Sequence, residues 1–400
     1  MSHSPGFIPF ITGKEVCSLI TELYADASMA RIGLYQLEKL KDCLPSNRLW
    51  IDPGADGLDD LSKGTPTKDK NDDPRQAWYD MITSFPGHQQ IADPVFQKTP
   101  TKPVVEKFVD AALSACLSHK PAAISIPQLP HVEDSGRNKV NRALAEAAAK
   151  WQLKHPKVFL ILPVILNHGG QSDNKTARNA HVKLAAQCLS ASKAQGCWVV
   201  DASFNDEDQS ADKRRERMHG LVSFHQEFNA ATGKIQCVRI GGPYWALNLL
   251  LWSRGLIDQF GIGVGTGYRY YLSGGFPSAG TAKIAIEPLF RRAKVGTKLR
   301  DWFVATLKSI EPSHPFHKQL AQLKPLATTV SSTARRQTAI FYRSWINGLA
   351  AAPQAGRAMT LFQSLSIAFS YGKQLTEELS DEGPTRRPES IAEPLMLNCL

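Results

Sequence analysis

The feature that most constrains this chain is an alternation. Short, almost unbroken apolar runs rich in β-branched and aromatic residues are followed, in all but the seventh case, where the chain is glycine-rich and irregular, by a segment with helical period. The runs are FIPFI (7–11), RLWID (48–52), AAISIP (122–127), VFLILPVIL (158–166), CWVVDA (197–202), QCVRI (236–240), GIGV (261–264) and KIAIEP (283–288). A strand with one wet face alternates apolar and polar residues, whereas a strand buried on both faces has no need to. These runs therefore read as strands of a parallel sheet covered by helices. Eight of them, with a helix pattern after almost every one, predict an α/β fold closed into a (β/α)8 TIM-like barrel in preference to an open sheet.

Two stretches break the rhythm. Residues 53–100, including SKGTPTKDKNDDPRQ, form a long polar insertion after strand 2, a candidate lid or disordered excursion. From 310 onward, RRQTAIFYRSWINGLAAAP and AMTLFQSLSIAFSYGKQL read as a helical C-terminal extension. The chain thus divides into a barrel over 1–309, the helical extension over 310–379 and a flexible tail over 380–400.

Composition narrows the function classes. With 42% apolar and 21% charged residues the chain is of the soluble globular type. No run of eighteen apolar residues predicts a membrane span, and the first residues lack the pattern of a secretory signal, so a cytoplasmic location is expected. The seven cysteines (17, 43, 116, 188, 197, 237, 399) are odd in number and form no CxxC pair. They read as reduced thiols without a zinc framework, and neither a metal nor a cofactor is expected. The formal net charge of +10 favours acidic partners, nucleic acid or nucleotides. Its local clusters, Lys213-Arg214-Arg215, Arg291-Arg292 and Arg335-Arg336, read as solvated helix faces.

Barrel enzymes carry their chemistry at the carboxyl ends of the strands. That rule selects Thr12, Asp52, Gln128 with His131, Asn167 with His168, Asp201, Gly241-Gly242 with Tyr244, residues 265–269, and Glu287. Asp52, Asp201 and Glu287 are the candidate catalytic carboxylates, since a desolvated carboxylate at a barrel mouth can be tuned for base or nucleophile work. Asp52 in RLWIDPGADG equally fits a turn in which its side chain bonds the backbone two residues on. Gln128, Asn167 and His168 are candidate substrate contacts. So are Gly241, Gly242 and Tyr244 in IGGPYW, where the glycines leave room for a flat ligand. In GVGTGYRYYLSGG, Gly265, Gly267, Tyr268 and Arg269 supply a glycine-rich loop with stacking and charge.

The order of DPGADG, LNHGG, IGGPYW and GVGTG resembles that of the glycine motifs in tRNA-guanine transglycosylases, a barrel family. The resemblance spans about 220 residues, from about 48 to 268. It implies glycosyl exchange on a nucleic-acid base, with Asp52 the analogue of the family's conserved aspartate. The chain departs from the family in several places. Asn167-His168 stands where the family has glutamine, its zinc site of three cysteines and a histidine is absent, an extra strand carries Asp201, and only Glu287 stands near the last strand.

Three functions are therefore expected to compete. The first is cleavage or exchange of a glycosidic bond in a nucleobase, nucleotide or nucleic acid by paired carboxylates, Asp52 and Asp201. The second is a non-catalytic nucleic-acid-binding or scaffolding subunit of a prokaryotic genome-defence type assembly, with protein partners on the C-terminal helices. The third is a small-molecule enzyme for a phosphorylated metabolite.

Overall fold

The computed structural model describes residues 6–11, 13, 16–40, 43–63, 74–92, 100–132, 135–168, 170–205, 211–264, 268, 270–273, 282–377 and 392–399. Eight parallel strands close into a barrel in sequence order: β1 Phe7–Phe10, β2 Ala30–Gly33, β3 Leu49–Asp52, β4 Ala123–Ser125, β5 Leu160–Leu166, β6 Gly196–Asp201, β7 Val238–Gly241 and β8 Gln259–Gly263. Closure comes from β1 lying parallel to β8, with Phe7 beside Phe260 and Phe10 beside Gly263. Helices Lys102–Leu117, Ser135–Lys154, Lys175–Ser192 and Ala211–Thr232 follow strands β3 to β6 and cover the outside.

The expected barrel is present, but one of its strands is not the expected one. β2, ARIG, lies inside the stretch whose period reads as helical, and the apolar run KIAI is not in the barrel. KIAI is β9 (Lys283–Ile286), which pairs antiparallel with β10 (Arg291–Lys294) in a separate two-stranded sheet. β2 escapes an apolar-run search because one of its four residues is an arginine that points inward. β9 is apolar for another reason. Ile284 and Ile286 cover a small second core with Leu289, Leu299, Trp302 and Phe303. The long insertion consequently follows the third strand, not the second.

Much of that insertion is part of the body of the protein. Leu58, Trp78, Ile82, Phe85 and Ile91 are all buried in the main core, and the Trp78 indole N–H donates to the Gly54 carbonyl at 2.9 Å. Five large apolar groups withdrawn from water hold these residues down, so the described part is not a free lid; residues 64–73 and 93–99 lie outside the described set. The end of the chain is docked in the same way. Within helix Ala392–Leu397, Leu395 is buried and Glu393 meets Arg215 at 3.0 Å, and Arg254 donates to the Asn398 carbonyl at 2.7 Å. Cys17 and Cys43, expected as free thiols, form a disulfide with 4.9 Å between their Cα atoms. An odd cysteine count gives no sign of one pair brought together by folding.

Inside the barrel, side chains from non-adjacent strands meet. The rings of Phe10 (β1), Trp50 (β3) and Trp198 (β6) contact one another edge to face at 5.4 to 5.9 Å, which identifies these as inward positions. Gly261 on β8 gives Phe10 its space, since a Cβ there would lie 2.6 Å from the ring. Gly261→Ala should therefore lose about 1–3 kcal/mol by overpacking, read as a lowered urea midpoint at unchanged slope. An unaltered midpoint would show that the barrel interior has slack.

Candidate active site

Side-chain direction alternates along a strand, so Trp50 and Asp52 on β3 share the inward face. Asp52 thus reaches the carboxyl-end mouth from the inside. Its Oδ2 accepts from Arg31 Nη2 at 2.8 Å and from the Ser125 hydroxyl at 2.9 Å, and its Oδ1 accepts the Gly54 N–H at 2.7 Å. The bond expected of a local turn is present through Oδ1, while Oδ2 is held by Arg31 and Ser125. Ser125 is fixed in turn by the Trp50 indole N–H at 2.8 Å. Arg31 lies over four rings, with its guanidinium carbon 4.7 Å from Trp198, 4.9 Å from Phe10, 5.2 Å from Tyr270 and 5.7 Å from Trp50. Burial works against the Arg31 charge, but Asp52, Tyr270 and Asp56 outweigh it and hold the guanidinium above its ordinary range.

Asp56 completes this group. Its Oδ2 accepts from the Tyr270 hydroxyl at 2.6 Å and from the Ser273 N–H at 2.9 Å. Its Oδ1 is buried and has no hydrogen-bond partner among the described residues. Burial, reinforced by the charge of Asp52, pushes the Asp56 carboxyl above the usual carboxylate range. The Tyr270 hydroxyl also receives an Arg31 N–H at 3.3 Å, which closes a circuit Asp52–Arg31–Tyr270–Asp56. The turn DPGADG makes this approach feasible, because a Cβ on Gly57 would lie 1.8 Å from the Ser273 carbonyl oxygen. Two carboxyl groups, one salt-bridged and one desolvated, are an arrangement able to act as base or nucleophile and as acid.

Asp201 is not part of this group. Trp198 faces inward on β6, so Asp201, three residues on, faces outward. There Arg217 Nη2, from the helix that follows β6, meets its Oδ2 at 2.7 Å. The backbone and hydroxyl of Ser203 donate to its Oδ1 at 2.8 and 2.7 Å. Burial pushes the Asp201 carboxyl up by more than Arg217 and Ser203 pull it down. The expected pairing of Asp52 with Asp201 is replaced by Asp52 with Asp56. Glu287 is exposed in the turn between β9 and β10, away from the barrel strands.

Most other candidates serve the fold. Asn167 and His168 are exposed, and their backbone N–H groups are held by Gln171 Oε1 at 2.8 and 3.0 Å. The space at Gly242 (φ 80°) is filled by the protein itself, with the Asn248 amide 2.2 Å from where a Cβ would stand. Gly241 sits against Ile257. The Tyr244 hydroxyl receives the Asp201 N–H at 2.7 Å. Tyr268 is buried beneath Arg292 and against Trp245 and Tyr342. Gln128 is buried, donating to the carbonyls of Pro127 and Asn141 at 2.9 and 3.1 Å. His131 stacks on His181 at 5.9 Å, and burial pushes its imidazole down to about 3. Thr12, Gly265, Gly267 and Arg269 lie outside the described residues.

Fold and mouth together define a (β/α)8 barrel with two carboxyls, Asp52 and Asp56, grouped around an inward arginine. No family model, curated protein or solved structure matches the chain. Among the described residues no helix is long and apolar enough to cross a membrane. Asp201→Ala should lower unfolding free energy by about 1–3 kcal/mol, because Arg217 loses its carboxylate at 2.7 Å while it keeps Asp173 at 3.3 Å and the Ser172 and Ser203 hydroxyls. A loss below about 1 kcal/mol, the range of an exposed pair, would contradict this structural role.

Proposed function

We propose that the barrel mouth cleaves or exchanges the glycosidic bond of a nucleobase in a nucleotide or nucleic acid. The observation that carries the proposal is the pair of inward carboxyls, Asp52 salt-bridged to Arg31 and Asp56 desolvated with one bare oxygen. A carboxyl whose proton is retained to higher pH is suited to general-acid work. In the reaction, Asp56 Oδ1–H gives its proton to the leaving base nitrogen as the C–N bond breaks and its electrons go to the base. An Asp52 oxygen bonds to the sugar carbon as the base departs. A second base or a water then attacks that carbon, the electrons of the C–O bond return to Asp52, and the proton of the incoming group goes to the Asp56 carboxylate. Arg31 keeps Asp52 in place, and its buried Nε, without a hydrogen-bond partner among the described residues, can donate to a polar group of the substrate. The resemblance to the transglycosylases supports the same reaction class and the same leading aspartate.

One observation favours a second reading, a barrel that binds without turnover. Asp52, Arg31, Ser125 and Tyr270 already bond one another, as they would in a scaffold.

Release of isotope-labelled base from nucleotides and single-stranded oligonucleotides separates the two. Asp56→Asn should slow release by about 10²–10⁴-fold, the usual share of a general acid, while Glu287→Gln retains the wild-type rate. Release by Asp56→Asn at the wild-type rate, or none from any of the common bases by the wild type, would refute the catalytic reading.

A further inference from the structure

The net positive charge of this protein is concentrated in one part of it. Residues 282–377, which comprise the β9–β10 hairpin and the helices after it, hold fourteen Lys and Arg against four Asp and Glu. That difference equals the +10 of the whole chain, and the remaining 33 basic and 33 acidic residues balance. Residues 1–281 hold 31 basic against 28 acidic residues and residues 378–400 hold two against five, so a weakly charged barrel carries a strongly basic unit with its own small core.

Within the unit the arginines and the lysines face different ways. Arg291 and Arg292 are buried rather than solvated, and Arg292 lies over the Tyr268 and Trp245 rings at 4.3 and 5.0 Å. Arg336 and Arg343 bond Glu22 and Asp26 of the barrel at 2.6 Å each. These groups dock the unit on the barrel. Lys294 on β10, Lys298 and Lys308 on helix Thr297–Ser309, Lys318 on helix His317–Leu323 and Lys324 in the turn Lys324–Thr328 are all exposed. The two helices and the turn pack on one another, and Gly296, two residues after Lys294, donates its N–H to the Ala327 carbonyl of the turn at 2.6 Å, so the elements that carry these lysines are neighbours. Arg300, beside them, is taken by Asp301 at 3.0 Å. Lys298 and Lys308 are ten residues apart on one helix, about 15 Å along its axis, so two separated phosphates of one strand can each meet a lysine.

The unit also adjoins the mouth. Tyr268, under Arg292, stands two residues before Tyr270, whose hydroxyl bonds Asp56. We propose that the lysine face of the C-terminal unit binds the phosphate backbone of a nucleic-acid strand and so brings a base to the mouth. This deepens the proposed function and rests on it for the fate of the base. A strand fits better than a lipid surface. Membrane docking needs an apolar face beside the basic groups. Among the described residues only Val330 of the unit's exposed large apolar side chains stands near these lysines, while Ile340, Met359 and Ile367 lie on the other two helices, Ser331–Ala350 and Arg357–Glu377.

The test is fluorescence anisotropy of a labelled single-stranded RNA with the full chain across a salt series. One variant replaces Lys294, Lys298, Lys308, Lys318 and Lys324 with Gln. A second replaces the exposed barrel lysines Lys107, Lys139, Lys154, Lys157 and Lys183 with Gln, giving the same formal charge. The wild type should lose affinity steeply with salt. The C-terminal variant should bind at least about tenfold more weakly, with a shallower salt slope by up to about 0.7 per lost phosphate contact. The barrel variant should stay within about threefold of wild type, as distant screened charges do. Equal losses in both variants, no loss in the first, or binding to phosphatidylserine vesicles but not to RNA would overturn the proposal. Base release identifies which idea failed. Lysine-dependent binding without release refutes the mouth chemistry alone, and release with lysine-independent binding refutes the surface alone.

Discussion

The charge pair of Arg31 and Asp52 is the constraint around which the mouth is arranged. A guanidinium inside a barrel is tolerated only with partners, because an unpaired ion withdrawn from water costs several kcal/mol. Here the partners are a carboxylate at 2.8 Å and four aromatic rings within 5.7 Å. Phe10, Trp50 and Trp198 fill the barrel below and supply the ring faces. Ser125 fixes the carboxylate from the neighbouring strand, and Tyr270 carries the network to a second carboxyl. The charge of Asp52 then acts on Asp56, which burial has already made reluctant to ionise.

Strand parity sorts the two strand-end aspartates that look equivalent in the sequence. Asp52 shares a face with Trp50, and Trp50 is inside the barrel. Asp201 sits at odd spacing from Trp198 and so turns toward the covering helices, where Arg217 meets it. One aspartate is part of the mouth and the other ties a strand to its helix. The distinction follows from which way each strand's large ring points.

The fold class was legible because strands buried on both faces leave continuous apolar runs. The identity of every strand was not. ARIG hides because its inward residue is charged, and KIAI misleads because a hairpin over a small core has the same composition as a barrel strand. Asp52 was legible from its place at a strand end before Pro-Gly. Asp56 stood in the same turn, but its role depends on Tyr270 and Ser273, more than two hundred residues away in sequence. No local pattern records such a contact. The Gly241-Gly242 pair shows the opposite case, a signal of close approach that was real but was answered by Asn248 rather than a ligand.

The central claim is that Asp56 keeps its proton above the ordinary aspartate range because it is buried beside Asp52. Carbon-13 titration of the aspartate carboxyls tests it directly, with the Asp56 signal assigned by its absence in Asp56→Asn. This signal should titrate above about 3.9, the value for a solvated aspartate. A signal that titrates at or below that value would mean the two carboxyls are not differentiated, and the acid–base reading of the mouth would fall.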